Sequence, residues 1–295
     1  MIFGKKIVVA THNGSFHADE VFAIAALHLL IGKVKIVRTR DPAVIKKADY
    51  VVDVGGIYDA DLNRFDHHQQ RDAGKRQDVS YASFGLVWKH FGERLAGSKK
   101  AAEFIEQKLV LPVDAFDNGE GEWSEIKKNI FPYTINDIID ALNQVPGEKK
   151  AADGYRAFLT AVEAASHLLR REITWAKIMI KAEETVEKYY RSAADKRLII
   201  LEEDCPAEKI IGRYQEPQFI LYQYPSGDWA VRAVNDNSSA FKSRTLFPEK
   251  WAGLRDSELM SVTGVEDAIF CHNKRFLAIA KSKEGALKLA ELALK

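Results

Sequence analysis

The N-terminal part of the chain alternates short apolar runs with polar stretches. The β-branched run KIVVAT (6–11) predicts a strand, the polar segment HNGSFH after it predicts a loop, and apolar positions from Val21 to Leu30 predict a helix. The order repeats, since KVKIVRT predicts a strand, DPAVIKKA a short helix with Pro42 in its first turn, and YVVDV a second, buried strand. Such alternation is typical of βαβ units on a parallel sheet.

The second half of the chain begins with a long helical pattern. It runs without proline from about Asp153 to Ala194, after a turn predicted at GEKK (147–150). Later apolar runs predict strands, followed by a helix over 284–294; the runs are RLIIL, QFILYQY, WAVRAV, AIFCH and FLAIA. We therefore predict an α/β fold in which a parallel-sheet N-terminal domain (1–150) is joined by a helical linker (151–195), one helix or a helix pair, to a smaller α/β domain (196–295).

The composition is that of an ordinary globular protein, with 46% hydrophobic and 29% charged residues. Lys plus Arg (43) nearly balances Asp plus Glu (42), so there is no global positive field for non-specific nucleic-acid binding, although a local basic groove stays open. Cys205 and Cys271 do not suggest a disulfide framework, and we find neither a leader nor the roughly 18 apolar residues of a membrane span. We expect a cytoplasmic protein without a membrane partner; a homodimer is compatible with the sequence.

Potential metal ligands follow the apolar runs of the N-terminal domain, including LVLPV (109–113), which has the composition of a strand. Ligands of parallel α/β sheets bind outside the carboxyl ends of the strands. Imidazoles and carboxylates bind divalent ions, and two ions need about six to eight donors. The candidate donors, all in predicted loops, are His12, His17, Asp19, Asp53, Asp66, His67, His68, Asp114 and Asp117.

Each candidate also has a purely structural interpretation. A lone Asp at a strand end is more often a helix cap or a turn residue, and Asp19 could cap the helix that starts near Val21. The adjacent His67 and His68 could be a surface pair. The candidates fall into four clusters, and their joint occurrence favours a metal site over coincidence. The clusters are His12 with His17 and Asp19, Asp53 alone, the run 66–68, and Asp114 with Asp117.

Four N-terminal segments carry a family pattern: THNGSFHADE (11–20), DVGGIYD (53–59), RFDHHQ (64–69) and VDAFDNG (113–119). They resemble the signature of the melanocyte-proliferating-gene family of metal-dependent hydrolases. That family is similar to the wider DHH phosphoesterase superfamily, which includes exonucleases, oligonucleotide phosphatases and manganese pyrophosphatases. AFKSRTLFPEKWAGLRD (240–256) and SVTGVEDAIFCH (261–272) match the family's C-terminal pattern, so the resemblance covers nearly the whole chain and implies a DHH-type N-terminal catalytic domain.

The resemblance also implies a centre of two divalent metal ions. His68 would face the substrate phosphate, Asp66 would orient its neighbours, and Asp114 competes with Asp117 for the fourth motif. The implied metal ligands are His12 and His17 for one ion, Asp53 as the bridge, and Asp19, His67 and Asp117 for the second ion.

The first motif departs from that of the wider superfamily, which reads His, three residues, Asp, one residue, Asp. Here the first spacing is one residue longer, and His17 stands where an Asp is expected. The additional nitrogen ligand favours Mn²⁺ over Mg²⁺.

In the smaller domain the resemblance implies that Arg244, Arg232 and His272 contact the substrate phosphate. After His272 the family pattern has small residues and a glycine pair, which would let backbone N–H groups approach a phosphate. This chain has NKR at 273–275 instead, which leaves a changed substrate open.

A pair of divalent ions activates water and binds phosphoryl oxygens, so phosphoester hydrolysis is the chemistry that this centre would support. The sequence contains no GxSxG elbow or P-loop that would indicate another chemistry. The resemblance implies a phosphodiesterase, specifically a 3′ to 5′ exonuclease that acts on RNA or short oligonucleotides. The alternatives are a phosphatase for a small nucleotide or pyrophosphate-like substrate, which the neutral net charge favours, and a metal-binding protein without turnover.

Overall fold

The computed structural model describes residues 6–69, 73–121, 124–145, 151–236 and 242–295, with the side chains of 151–153 excepted. The turn predicted at GEKK (147–150) lies outside these residues. The chain divides into two compact units, Met1–Lys177 and Ile178–Lys295. The segment predicted as a linker is one continuous helix, Ala151–Ser192, and the division falls within it.

The first unit is built on a sheet whose strands are mostly parallel. Its strands are β1 (Val8–Thr11), β2 (Lys35–Arg38), β3 (Tyr50–Val52), β4 (Tyr58–Asp59) and β5 (Arg64–Phe65). Their order is β2-β1-β3-β5-β4, and β4 alone of the five is antiparallel to its neighbour. A separate small hairpin follows, formed by β6 (Lys75–Arg76) and β7 (Val79–Ser80).

The helices of the first unit cover and flank this sheet. They are α1 (Ala18–Ile31), α2 (Pro42–Ile45), α3 (Ser83–Ala96), α4 (Lys99–Ile105), α5 (Leu111–Asp117), α6 (Ile135–Asp140) and the part of α7 (Ala151–Ser192) up to Lys177. Helix α1 is buried throughout residues 18–27, as its nearly uniform apolar sequence requires. In α2 the Asp41 side chain accepts from Ala43 N and Pro42 occupies the first turn, as predicted.

The prediction of a strand at LVLPV (109–113) is wrong, because this segment is helical. It joins a π-helical turn, Glu106–Val110, to α5, in which Pro112 lies in the first turn. A short apolar run is compatible with either a buried strand or a buried helix. In the helical form the apolar side chains of Leu109 and Val113 are buried. Asp114 and Asp117 therefore lie on a helix and not in a loop after a strand.

The second unit contains a mixed sheet. Its strands are β8 (Leu198–Leu201), β9 (Phe219–Gln223), β10 (Trp229–Ala233), β11 (Ala268–Cys271) and β12 (Leu277–Ala280), and each falls within a predicted strand. The order is β11-β12-β10-β9-β8, in which β8 and β9 are parallel and the other pairs antiparallel. The helices are α8 (Glu208–Ile211), α9 (Asp256–Thr263) and α10 (Lys283–Ala293), with a 3₁₀ turn at Glu249–Trp251.

One hydrophobic core of the second unit includes alternate residues of its strands. Phe219, Leu221 and Val231 pack with Leu289 of α10 and with Trp251. Both units thus combine helices with sheets that contain parallel strands, which confirms the predicted α/β class. Within the described ranges, no helix combines the length and apolar character that a membrane crossing requires.

Candidate metal centre

Neighbouring strands of the first unit carry potential metal ligands directly after their last residues. His12 follows β1, Asp53 follows β3, and the run 66–68 follows β5. Because these three strands are parallel and adjacent, their carboxyl ends meet at one edge of the sheet. The first turn of α1 brings Asp19 to the same edge, and the end of α5 brings Asp117.

Asp53 lies at the centre of this cluster. Its backbone φ is 55°, a left-handed conformation that Asp tolerates better than most residues, and its N–H donates to Phe65 O at 3.1 Å. The buried carboxylate contacts three imidazoles: His12 Nε2 at 3.3 Å, His67 Nε2 at 3.4 Å and His68 Nδ1 at 3.2 Å. The contacts are divided between its two oxygens, which is the arrangement that a ligand bridging two ions requires.

His67 connects Asp53 to carboxylates from two helices. Its Nε2 lies 3.2 Å from Asp117 Oδ2 and 4.0 Å from Asp19 Oδ2. Asp19 also accepts from the backbone N–H of Ser83 at 3.3 Å, and the Ser83 hydroxyl donates to Asp53 at 3.1 Å. Ser83 begins α3 and is fully buried, and no sequence pattern marks it as part of the site.

The first turn of α1 contributes a residue that the sequence interpretation missed. Glu20 is fully buried, its Oε2 accepts from His17 N at 2.8 Å, and its Oε1 lies 2.9 Å from His12 Nε2. His17 is the N-cap of the helix and is exposed. The available sequence signal was the capping-box spacing from His17 to Glu20, with acidic residues directly before an apolar helix.

Asp66 orients His68. Its Oδ1 accepts from His68 N at 3.0 Å and lies 2.9 Å from His68 Nδ1, while its Oδ2 accepts from Gly56 N at 2.5 Å. The His68 side chain is 64% exposed. Since its contacts with Asp66 and Asp53 both use Nδ1, Nε2 is the ring nitrogen that can face a substrate.

The carboxylates of the cluster form a buried concentration of negative charge. Burial raises the pKa of Asp19 well above its ordinary value, and the charges of Asp53 and Asp117 raise it further. Burial also acts to raise the pKa of Asp53, but its contacts with three imidazoles hold that pKa below its usual range.

In the histidines, burial and the neighbouring carboxylates have opposite effects on the pKa. Burial lowers the pKa of His12 and His67, but Asp53 and the other adjoining carboxylates outweigh burial and raise both to about 10. Contacts with Asp53 and Asp66 raise the pKa of His68 to about 9. Positive charge is therefore strongly favoured at this edge of the sheet.

Three buried atoms that could bind a metal ion have no hydrogen bond to any described residue. They are Asp19 Oδ1, Glu20 Oε1 and His67 Nε2. Nitrogen and oxygen atoms that approach one another without bonding can direct their lone pairs to a common point, as the ligands of one cation do. Donor atoms within 4.8 Å of one another form three groups: His12, His17, Glu20 and Asp53; Asp53, His67 and His68; and His17, Asp19 and Asp117. These side chains fit divalent cations.

The two residues that compete for the fourth motif have different surroundings. Asp114 is fully buried and accepts from Arg76 Nη1 at 2.9 Å and from Gly85 N at 3.0 Å. Burial raises the pKa of Asp114 to about 7 against the opposing effect of Arg76. Asp117 instead lies against His67 Nε2. Of the two, the structure brings Asp117 to the cluster and pairs Asp114 with a buried guanidinium.

Arg244, predicted to contact substrate, has a dense set of structural contacts in the second unit. Its guanidinium donates to the backbone carbonyls of residues 212, 214, 215 and 217 at 2.6–3.2 Å. The side chain therefore holds the segment between α8 and β9.

Arg232 and His272 are the other two basic residues predicted to contact substrate. Arg232 lies on β10 and pairs with Glu208 at 3.2 Å. His272 Nδ1 accepts from Lys274 N at 3.0 Å. In the turn that follows His272, where a glycine pair was expected, Arg275 has a left-handed φ of 60°.

Comparison with known proteins gives one matching family. Residues 8–294 match the family model MYG1_exonuc, described as Uncharacterised protein family (UPF0160). The chain is 32% identical over 313 residues to the MYG1 protein of Dictyostelium discoideum, covering 96% of this chain and 95% of the relative. It is 31% identical over 320 residues to the MYG1 exonuclease of Mus musculus, covering 97% and 84%.

A bacterial relative and one solved structure extend the comparison. The MYG1 protein of Chlamydia pneumoniae is 32% identical over 295 residues, which cover 97% of this chain and 96% of the relative. The solved pGpG-specific phosphodiesterase PggH from Vibrio cholrae aligns over 97% of each chain at 14% identity with a TM-score of 0.34.

Proposed function

Because this chain belongs to the MYG1_exonuc family (UPF0160), as its motifs predicted, we propose that it is a divalent-metal-dependent phosphodiesterase. A hydrolytic phosphoesterase is supported by relatives that are named MYG1 exonuclease and cover nearly the whole chain. The observation that carries the proposal is the buried cluster around Asp53, in which three potential ligand atoms lack hydrogen bonds and the side chains suit divalent cations. We further propose RNA or short oligonucleotides as substrates, cleaved from the 3′ end.

Two ions would share the Asp53 carboxylate in the proposed site. His12 and His17 would hold one ion, and Asp19, His67 and Asp117 would hold the other. Imidazole nitrogens on both ions favour Mn²⁺ over Mg²⁺. Bound as a pair, such ions lower the pKa of water and neutralise phosphoryl oxygens during in-line displacement.

The side chains around the ions would orient the substrate and move protons. His68 presents Nε2 to solvent while Asp53 and Asp66 fix the ring through Nδ1, so Nε2 can contact a phosphoryl oxygen or carry a proton. Asp66 is itself fixed by Gly56 N, which limits the rotation of the imidazole. In the second unit we propose that Arg232 and His272 contact the substrate phosphate, and that Arg244 acts there by holding the segment to which it is bonded.

The proposal is tested with purified protein, Mn²⁺ and three substrates: a labelled oligoribonucleotide, a dinucleotide and a nitrophenyl phosphodiester. A 3′ exonuclease is expected to release mononucleotides progressively from a 5′-labelled oligoribonucleotide and to lose activity in EDTA. A phosphomonoester and pyrophosphate are assayed alongside, and a preference for either would favour a phosphatase instead. Bound metal with no product from any of these substrates would exclude an enzyme.

A further inference from the structure

The two carboxylate oxygens of Glu20 have different surroundings. Oε2 accepts from His17 N at 2.8 Å and so closes the capping box at the start of α1. Oε1 has no hydrogen bond within the described residues, although Glu20 is fully buried. Capping needs one oxygen only and would be served equally by Gln. It therefore explains Oε2 and leaves Oε1 without a role.

The position of Oε1 relative to His12 indicates that role. His12 Nδ1 lies 3.1 Å from Asn13 O, and because a carbonyl can only accept, Nδ1 carries a hydrogen. When the ring is neutral, Nε2 therefore presents a lone pair, at 2.9 Å from Glu20 Oε1 and 3.3 Å from Asp53 Oδ2. Oxygen and nitrogen lone pairs at such distances repel each other unless a proton or a metal cation lies among them, and a divalent ion can take the place of that proton.

These separations also suit a shared ion. Bonds of about 2.1 Å place adjacent ligands of a divalent ion roughly 3.0 Å apart in an octahedral shell and roughly 3.4 Å apart in a tetrahedral one. The distances from His12 Nε2 to the two carboxylates, 2.9 and 3.3 Å, match this spacing closely.

The charge of the cluster also supports Glu20 as a ligand. Asp19, Asp53 and Asp117 supply three negative charges, and two divalent ions would supply four positive charges. With Glu20 the proposed ligands include four carboxylates, which balance the ions, while Asp66 is paired with His68. Charge balance matters here because Asp19 and Glu20 are fully buried, where an uncompensated charge is costly.

We propose that Glu20 is a ligand of the ion that His12 binds, so that this ion is held by His12, His17, Glu20 and Asp53. The proposal rests on the proposed metal-dependent function. It adds an oxygen ligand that the family motif did not imply for this chain.

The test is the Glu20→Gln variant, titrated with Mn²⁺ by calorimetry after metal removal. Gln keeps the capping acceptor and the size of the side chain but removes the charge. We expect one of two binding steps to weaken at least about tenfold, with the other step within about threefold of wild type. Visible absorption of the Co²⁺-loaded protein should also change.

Asp137→Asn is the matched control. Asp137 is the corresponding residue of the capping box of α6, where its Oδ2 accepts from Thr134 N at 2.6 Å. It belongs to no donor group of the cluster, so both Mn²⁺ binding steps are expected to match those of wild type.

Unchanged affinity of both steps in Glu20→Gln would overturn the inference and leave the proposed function standing. Failure of the wild-type protein to bind Mn²⁺ would instead overturn both. If circular dichroism shows that Glu20→Gln does not fold, Glu20→Asp is tested in its place. That variant keeps the charge but draws the oxygen back by one methylene, and the same selective weakening is expected; unchanged affinity there would equally overturn the inference.

Discussion

Asp114→Asn separates the roles of the two carboxylates that the fourth motif offers. Asp114 lies buried with Oδ2 against Arg76 Nη1 and Oδ1 against Gly85 N. Asn has one oxygen and one amide nitrogen in these places. Whichever way the amide is turned, a donor faces either the guanidinium or the backbone N–H, so the substitution breaks one buried contact.

The expected loss follows from the burial of this ion pair. Removing one partner of a buried pair costs about 3–5 kcal/mol. Arg76 also contacts Glu106 at 2.5 Å and so keeps a negative neighbour, which places the cost near the lower figure. One kcal/mol shifts the melting temperature of a unit of this size by about 2–4 °C, so a decrease of roughly 6–12 °C is expected.

The assay is thermal unfolding in EDTA at pH 8, where Asp114 is ionised because its pKa is about 7. Asp117→Asn is the matched control, since its side chain is partly exposed and His67 keeps Asp53 and Asp19 as negative neighbours; its decrease in melting temperature is expected to be smaller than that of Asp114→Asn. In calorimetry with Mn²⁺ the more strongly affected variant should be the other one: Mn²⁺ affinity is expected to be lost in Asp117→Asn and kept in Asp114→Asn. A stable Asp114→Asn variant that binds Mn²⁺ poorly would refute the reasoning.

Three further outcomes are expected. Asp53→Asn keeps a residue that tolerates a left-handed backbone but removes a buried carboxylate that contacts three imidazoles, so the metal-free melting temperature should fall, and the stabilisation by Mn²⁺, about 2.7 kcal/mol at 100 times Kd, should disappear in thermal unfolding. Gly85→Ala, a change that usually stabilises helices, should destabilise by about 1–3 kcal/mol because its Cβ would lie 1.8 Å from Asp114 Oδ2; a raised melting temperature would contradict this packing. His68→Ala should lower kcat by a factor on the order of 10²–10⁴ with Mn²⁺ affinity unchanged, and full activity would exclude this imidazole from the reaction.

Local sequence patterns predicted β1, β3 and α1 among the elements that position the site, but not β5, α3 or α5. The strands that precede His12 and Asp53 were recognised from β-branched runs, and the long helix α7 from a segment without proline. These elements are predictable because strand and helix periodicity depend on residues a few positions apart. The helical form of LVLPV (109–113) was not predictable in this way, since a short apolar run suits either state when it is buried.

The sequence also identified the residue types of the candidate metal centre, because His and Asp after successive parallel strands converge for topological reasons. It could not choose between Asp114 and Asp117, which lie three residues apart on one helix. The choice depends on Arg76, 38 residues from Asp114 along the chain, and that contact exists only in the folded chain.

The contacts of Glu20 and Ser83 within the site also depend on the tertiary structure. By its local contacts Glu20 is a capping residue of α1, and Ser83 is the first residue of α3. Packing of α1 and α3 against the ends of the strands directs Glu20 Oε1 toward His12 and the Ser83 hydroxyl toward Asp53. The sequence by itself thus determined which elements form and which chemistry is available. The tertiary structure alone decided which buried carboxylates have partners, because the free energy of a buried charge depends on neighbours that are distant in the chain.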